Sequence, residues 1–211
     1  MLETIVIEPT QQPVTHAVIW LHGLGADGHD FEPVVHMMKL HHTHAVRFIL
    51  PHAPVRPVSL NGGYPMRAWF DIHGLTARDK QDNAGIAQSQ AALEAMIAQQ
   101  VAAGVPPQNI ILIGFSQGGA MILHTGARQA VALGGLMGLS TYLPQGEKLA
   151  TEATAAAKTT AVMMMHGDFD PVLSLQLGLM SRDALRAAGF AVEWKQYPME
   201  HSVLPEQIKD I

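Results

Sequence analysis

The sequence contains no cysteine, and this absence removes two kinds of chemistry at once. The chain cannot form a disulfide, and it cannot use a thiolate as a nucleophile. The absence of cysteine does not by itself assign the chain to a compartment. Any nucleophilic chemistry must therefore come from another side chain.

Positive charge is also scarce. Lys and Arg number 13 against 18 Asp and Glu, which gives a formal net charge of −5, and the basic residues are scattered along the chain. A protein that binds nucleic acid needs clustered positive charge to neutralise phosphates. The composition therefore argues against nucleic acid as a partner.

Long apolar runs are missing as well. The longest apolar stretches, such as residues 130–139, are short and rich in glycine, whereas a membrane-spanning helix needs roughly 18 residues. Residues 1–5 lack the basic segment followed by an apolar segment that is typical of a signal peptide. We therefore expect no transmembrane segment and a cytoplasmic location.

The sequence does have a folded composition and a regular alternation of patterns. Of its 211 residues, 48% are hydrophobic and 15% charged, which suits one domain over residues 1–211 with a sizeable core. Apolar runs predict seven strands, at residues 4–7, 16–21, 46–50, 109–114, 133–139, 161–166 and 191–197. The middle runs are continuously apolar, as expected for strands buried on both faces of a sheet.

Helical patterns fall between these strands. A helix is predicted over about residues 83–103, with Asp82 as its cap. Its buried face would hold Ile86, Leu93, Ile97 and Val101. Further helices are predicted directly after residue 116, over residues 173–188 and from residue 205. The alternation implies an α/β fold with a mainly parallel central sheet and helices on both faces.

Residues 51–82 interrupt this alternation. They contain many glycine, proline and polar residues, and they predict a long excursion from the sheet. Long loops within compact domains often carry function.

The most specific motif is Gly-x-Ser-x-Gly, formed by Gly114, Ser116 and Gly118. It follows a predicted strand and precedes a helical pattern, which is the arrangement of a nucleophile elbow. Only glycine fits two residues on either side of the serine in so tight a turn, and the helix directs its positive end at the reaction centre. An ordinary strand-to-helix turn with a serine cap is the alternative, and the flanking elements favour the nucleophile.

A serine nucleophile needs a base and an orienting acid. In proteins with this type of sheet, the acid follows the serine along the chain and the histidine follows the acid. His201 directly follows the last predicted strand and suits the base. Asp168 and Asp170 both follow the strand at residues 161–166, at the sheet edge where loops build sites. The residues alone leave both acids open.

The reaction also needs two backbone N–H groups that bind the developing oxyanion. One donor is normally the residue after the nucleophile, which is Gln117 here. The other comes from a loop after an early strand, where residues 22–28 are rich in glycine. We expect Leu24 N–H to be this second donor.

A cluster of histidines suggests a metal site. Its members are His36, His41, His42 and His44. They lack a matching carboxylate pattern such as His-Glu-x-x-His, so a solvated helix end is the simpler interpretation. We therefore expect neither a metal nor a cofactor.

Six segments together resemble the bacterial carboxylesterase and acyl-protein thioesterase family of α/β-hydrolases, in order and over nearly the whole chain. They lie at residues 21–28, 67–72, 114–119, 139–144, 166–171 and 197–202. The resemblance implies a compact α/β-hydrolase without a large cap domain. It implies Ser116 as nucleophile, Asp170 as orienting acid, His201 as base, and Leu24 and Gln117 as oxyanion donors.

The resemblance carries three further implications. Trp69 and Leu75 resemble residues that line the acyl groove, although a core aromatic and an exposed leucine explain them almost as well. Many members of the family are homodimers. Members usually continue past a segment such as residues 208–211 into a longer final helix, so either a further tail or a truncated last helix is expected here.

These observations favour a serine carboxylesterase. Its substrate would be a small acyl ester or an acylated molecule, and the reaction would pass through an acyl-enzyme. The alternatives within enzymes are an acyl-protein thioesterase (depalmitoylase) and a lysophospholipase. A dienelactone hydrolase fits less well, because that family typically uses a cysteine nucleophile. A non-enzymatic acyl-binding scaffold would show a damaged triad, whereas all three members are present in this sequence.

Overall fold

The computed structural model describes residues 2–74, 76 and 79–211. Within these residues a seven-stranded sheet and a separate two-stranded hairpin are present. The strands are β1 (Thr4–Ile7), β2 (His16–Leu21), β3 (Val46–Pro51), β4 (Val55–Val58), β5 (Tyr64–Arg67), β6 (Ile110–Phe115), β7 (Gly135–Leu139), β8 (Val162–Gly167) and β9 (Val192–Tyr197). The helices are α1 (Glu32–Met38), α2 (Leu40–Thr43), α3 (Asn83–Ala102), α4 (Gln117–Gly126), α5 (Leu149–Glu152), α6 (Leu175–Ala187) and α7 (Pro205–Asp210).

The main sheet has the strand order β1-β3-β2-β6-β7-β8-β9. Strand β1 pairs antiparallel with β3, and the other neighbours pair in parallel. All seven predicted strands of this sheet form close to their expected positions, so the predicted α/β class with a mainly parallel sheet is confirmed. Because β2, β6, β8 and β9 are parallel, the loops that carry the sequence motifs emerge at one edge.

Two apolar cores cover the two faces of the sheet, as the alternation of side chains along β2 shows. Ala17, Ile19 and Leu21 point into the core that contains α3 and α4. Val18 and Trp20 point into the other core, which contains α1. Each large side chain buried in this way contributes roughly 1.5–3 kcal/mol relative to exposure. The predicted placement of helices on both faces is confirmed.

Helix α3 begins as predicted, since the Asp82 carboxylate accepts a hydrogen bond from Gly85 N at 2.9 Å. The expected burial of Val101 is wrong, because its side chain is 41% exposed. Gln100 takes the buried position instead, and its amide oxygen accepts a hydrogen bond from Arg47 Nη1 at 3.0 Å. In the described part of the chain, no helix has the length and apolarity needed to cross a membrane.

The excursion at residues 51–82 contains structure that the sequence pattern did not predict. Strands β4 and β5 pair antiparallel in a hairpin. At the end of this hairpin Arg67 O accepts a hydrogen bond from Gly25 N at 2.8 Å. The excursion is therefore fastened to the glycine-rich loop after β2, where one oxyanion donor is expected.

Candidate active site

Ser116 lies in the turn between β6 and α4 with φ 52° and ψ −120°, a conformation that residues other than glycine rarely adopt. Such a backbone costs about 1–3 kcal/mol and persists only where its surroundings hold it. Ser116 N donates to Leu139 O at 2.9 Å, and Thr141 Oγ1 donates to Ser116 O at 2.7 Å. The neighbouring strand β7 and its loop therefore hold the strained turn.

The two motif glycines are required by close packing of the backbone. A Cβ added to Gly114 would lie 2.5 Å from the carbonyl carbon of Gly118. A Cβ added to Gly118 would lie 2.6 Å from His22 O. Because these neighbours are backbone atoms, they cannot move aside as a flexible side chain can. The elbow thus sits directly against the loop that follows β2.

Ser116, His201 and Asp170 form a continuous chain of hydrogen bonds. Ser116 Oγ lies 2.9 Å from His201 Nε2, and His201 Nδ1 lies 2.7 Å from Asp170 Oδ2. A carboxylate only accepts hydrogen bonds, so this contact keeps the proton of neutral His201 on Nδ1. Nε2 is then free to accept the proton of the Ser116 hydroxyl, which is the arrangement that a general base requires.

The loop after β8 fixes Asp170 from the opposite side. Asp170 Oδ1 accepts hydrogen bonds from Val172 N at 2.9 Å and from Leu173 N at 2.8 Å, and the side chain is fully buried. His166 Nε2 donates to Leu173 O at 2.9 Å and lies 3.6 Å from Asp170 Oδ2. His166 opens the segment that contains both candidate acids, but no role for it was predicted from the sequence.

The structure brings only one of the two candidate acids to His201. Asp168 is exposed, and its carboxylate accepts a hydrogen bond from Gln196 Nε2 at 2.8 Å. It lies in the same loop as Asp170 but faces strand β9. The geometry thus separates two acids that the residue pattern alone left equivalent.

The glycine-rich loop after β2 is anchored by His22, which sequence reasoning had not assigned. His22 Nδ1 donates to Gly23 O at 2.7 Å, and Nε2 accepts from Ala53 N at 3.0 Å. Burial lowers the pKa of His22 to about 4, so the ring is neutral near pH 7 and keeps this one tautomer. The ring therefore links the loop to the end of β3.

Leu24 and Gln117, the expected oxyanion donors, both line the cavity that contains Ser116 and His201. The cavity has a volume of about 240 Å³. Its remaining wall is largely apolar and includes Leu60, Ile72, Phe115, Tyr142, Val172 and Leu173. An apolar wall beside a nucleophile suits the hydrocarbon part of an acyl group.

The side chain of Gln117 makes contacts that are separate from the oxyanion role expected of its backbone. Its side-chain oxygen accepts a hydrogen bond from Trp69 N at 2.8 Å, and its Nε2 donates to Phe70 O at 2.7 Å. The side chain is buried, and it clamps the segment after β5 to the start of α4. The sequence offered one signal for this role, namely a large amide side chain directly after the nucleophile.

Trp69 lies beneath the site. It is 2% exposed and belongs to the core, and its indole N–H donates to His22 O at 2.9 Å. It is not among the described residues that line the Ser116 cavity. Leu75, the other residue expected in the acyl groove, lies outside the described residues.

The histidine-rich segment offers a buried ring and no metal cluster. His41 is 4% exposed and lies within α2, so the expectation of a solvated helix end is wrong at this position. Over residues 2–74, 76 and 79–211, no group of three or more His, Cys, Asp or Glu is arranged to hold a metal ion.

Replacing Gln117 with alanine is expected to lower the free energy of unfolding by about 2–6 kcal/mol. The substitution leaves Trp69 N–H and Phe70 C=O buried without partners, and each costs about 1–3 kcal/mol. Urea unfolding followed by tryptophan fluorescence measures the change. The exposed helical residue Gln176 provides a matched control, since Gln176→Ala should stay within about 0.5 kcal/mol of the parent. Equal stability of both variants would contradict a stabilising role for the two hydrogen bonds of the Gln117 side chain.

A second cavity adjoins the first. It has a volume of about 290 Å³, and it shares Ile72 and Tyr142 with the cavity at Ser116. Its other walls come from the end of the excursion and from α6, including Leu177, Met180 and Ala184. The two shared side chains therefore lie between the cavities.

Comparison with known proteins gives the same result from sequence and from structure. The phospholipase/carboxylesterase family model matches residues 2–211. Acyl-protein thioesterase 1 from Gibberella zeae is 39% identical over 212 residues, covering 96% of this chain and 90% of that protein. A probable carboxylesterase from Oryza sativa subsp. japonica is 37% identical over 194 residues, covering 90% of this chain and 73% of that protein.

Among solved structures, acyl-protein thioesterase 2 from Zea mays matches with a TM-score of 0.86 and 31% identity, covering 100% of this chain and 96% of that one. The fold is therefore that of an α/β-hydrolase, and the chain belongs to the phospholipase/carboxylesterase family.

Proposed function

We propose that the chain is a serine carboxylesterase in which Ser116, His201 and Asp170 carry the reaction. Ser116 Oγ attacks the carbonyl carbon of an ester, and its proton passes to His201 Nε2. Asp170 holds the ring and stabilises the imidazolium that forms. The carbonyl oxygen becomes an oxyanion, which the N–H groups of Leu24 and Gln117 bind.

Collapse of this tetrahedral intermediate breaks the ester bond. The leaving alcohol or thiol takes the proton from His201, and the acyl group remains bonded to Ser116 Oγ. Water then attacks the acyl-enzyme while His201 accepts its proton and returns it to Ser116. The products are a carboxylic acid and the free alcohol or thiol, and the enzyme is regenerated.

The proposal rests chiefly on the unbroken hydrogen-bond chain from Ser116 to Asp170 beside an apolar cavity. The strained elbow at Ser116 supports the proposal. Such strain persists only where the surrounding structure holds it, and strained residues cluster at active sites. The same arrangement disfavours a non-enzymatic acyl-binding scaffold, which has no need for an aligned base.

A panel of p-nitrophenyl esters from acetate to palmitate tests this function. We expect release of p-nitrophenol with at least one chain length, at a rate proportional to enzyme concentration. The Ser116→Ala variant provides the background. A purified, folded protein that hydrolyses none of the esters above that background would contradict the proposal.

An acyl-protein thioesterase is the second candidate, and one observation favours it. The second cavity shares Ile72 and Tyr142 with the first, and apolar side chains such as Leu177 and Met180 line it, so a longer acyl chain that reached it would have apolar surface to contact. Relatives that carry this name are 39% and 38% identical to the chain. A palmitoylated cysteine peptide tests the idea, and dithionitrobenzoate can report the released thiol directly because the enzyme has no cysteine.

The groove role of Trp69 stays a prediction, and its burial favours the alternative that it supports the core. Trp69→Ala would then lower activity on acetate and octanoate esters to the same extent, because the glycine-rich loop after β2 loses its contact with the indole. If the indole instead contacts the acyl chain, octanoate should suffer more, by up to about 0.8 kcal/mol for each methylene that loses contact. The ratio of the two kcat/KM values, measured where the variant stays folded, decides between these roles.

Assembly and location also stay predictions. The family resemblance supports a homodimer that acts on small acyl esters or acylated substrates. A cytoplasmic location is proposed as well, and the proposed reaction uses neither a metal nor a cofactor. Light scattering on the purified protein measures the molar mass and checks the homodimer.

A further inference from the structure

The cavity at Ser116 contains an acidic side chain that the proposed mechanism does not use. Asp30 lies on the wall that the glycine-rich loop provides, together with Leu24 and Ala26. Among the described residues that line this cavity, Asp30 is the only carboxylate, and no lysine or arginine accompanies it. The cavity therefore presents one negative charge to a substrate.

The backbone of Asp30 is held in place from two sides. It ends a short 3₁₀ turn, Gly28–Asp30, in which Asp30 N donates to Asp27 O at 3.1 Å. Gly28 N donates to His52 Nδ1 at 3.0 Å, which fastens the turn to the end of β3. The position of Asp30 at the cavity is therefore a consequence of the same framework that supports the glycine-rich loop after β2.

The carboxylate of Asp30 has no partner among the described residues. In the part of the chain that the structure describes, no side chain or backbone N–H donates to it, whereas its neighbour Asp27 accepts from His29 N at 2.9 Å. His29 in turn pairs with Glu32 at 2.8 Å. Partial burial, with added repulsion from Asp27, raises the pKa of Asp30 above its ordinary value. A cation placed beside Asp30 would relieve both costs.

The location indicates which part of a substrate meets this charge. Asp30, Leu60 and Val172 are the exposed members of the described cavity wall, so they lie at its mouth. The deeper apolar wall suits the acyl chain, and a carboxylate against methylene groups would lose hydration without compensation. The leaving group, which stays near solvent, is the part that can bring a polar or charged group to Asp30.

We propose that Asp30 selects substrates whose leaving group carries a positive charge, with the carboxylate binding that charge at the mouth of the cavity. The inference rests on the proposed esterase function and names its substrate class: esters or thioesters of amino alcohols, amino thiols or their quaternary ammonium counterparts. Asp30 acts here as a specificity residue, and it takes no part in bond breaking.

Two thioesters of nearly identical shape provide the test. Butyrylthiocholine carries a quaternary ammonium, and S-(3,3-dimethylbutyl) thiobutyrate carries a neutral carbon in its place. The released thiols are measured with dithionitrobenzoate, and the readout is the ratio of the two kcat/KM values. Intrinsic differences in reactivity cancel when the same ratio is compared between variants.

Asp30→Asn is expected to lower this ratio by about three- to tenfold, the effect of one charge pair at a partly solvated site. The kcat/KM of the neutral thioester should change less than about twofold. Asp183→Asn removes the same charge from an exposed site on α6 and should leave the ratio unchanged. Raising the salt to about 1 M should lower the ratio for the parent and not for Asp30→Asn.

The outcomes distinguish failure of the role of Asp30 from failure of the proposed esterase function. Hydrolysis of both thioesters with a ratio that Asp30→Asn leaves unchanged within about twofold overturns the role of Asp30 and leaves the esterase function intact. A folded protein that hydrolyses neither thioester nor p-nitrophenyl butyrate overturns the proposed function, and the role of Asp30 fails with it.

Discussion

Replacement of Ser116 by alanine is expected to lower kcat on p-nitrophenyl butyrate by at least about 10³-fold. The variant loses the atom that becomes acylated, so only oxyanion binding and substrate positioning remain. Stability should not fall, because the Oγ contacts His201 near solvent while the elbow is held through the backbone of Ser116.

The neighbouring residue Ser202 provides the control for this change. It is exposed and follows the base directly in sequence. Ser202→Ala should retain activity within about twofold. Comparable losses in the two variants would show that the effect arises from disturbance near His201 and not from removal of the nucleophile.

Asp170→Asn is expected to lower kcat by about 10⁴-fold, as loss of the orienting carboxylate does in another triad. Asp170 Oδ1 accepts hydrogen bonds from Val172 N and Leu173 N, so the amide oxygen of the variant must occupy that position. The amide NH₂ group then faces His201 Nδ1. The ring must then carry its proton on Nε2. A protonated Nε2 can no longer accept the proton of Ser116.

Asp168 provides a control within the same loop. Its carboxylate is exposed and accepts a hydrogen bond from Gln196, so Asp168→Asn should change kcat by less than about threefold. Initial rates at several pH values separate loss of the base from a shift of the profile. A larger loss for Asp168→Asn than for Asp170→Asn would transfer the orienting role to Asp168.

Much of the fold could be predicted because the sheet is buried on both faces. Strands such as β6 and β8 are continuous apolar runs, and their neighbours differ from the predicted bounds by at most two residues. The hairpin β4–β5 was not predicted, because it is short and lies in a segment rich in proline and glycine. Its end also contacts the loop after β2, where Arg67 O accepts a hydrogen bond from Gly25 N, and local sequence does not encode such a contact.

The site could be predicted as far as its chemistry depends on residue type and chain order. Ser116 and His201 were found from the elbow and from the strand ends, whereas Asp170 needed the family resemblance to distinguish it from Asp168. The clamp by Gln117 joins residues 48 positions apart in sequence. The tautomer of His22 likewise depends on Ala53, 31 positions away. Such contacts form only in the folded chain, so no local sequence pattern predicts them.

Covalent labelling with a fluorophosphonate tests the central claim most directly. The nucleophile attacks phosphorus, fluoride leaves, and the protein gains one stable phosphonyl group that mass spectrometry can locate. We predict one label per chain, attached to Ser116, and no label on Ser116→Ala. A label on another residue of the parent, or labelling that survives in Ser116→Ala, would contradict the assignment of Ser116 as the nucleophile.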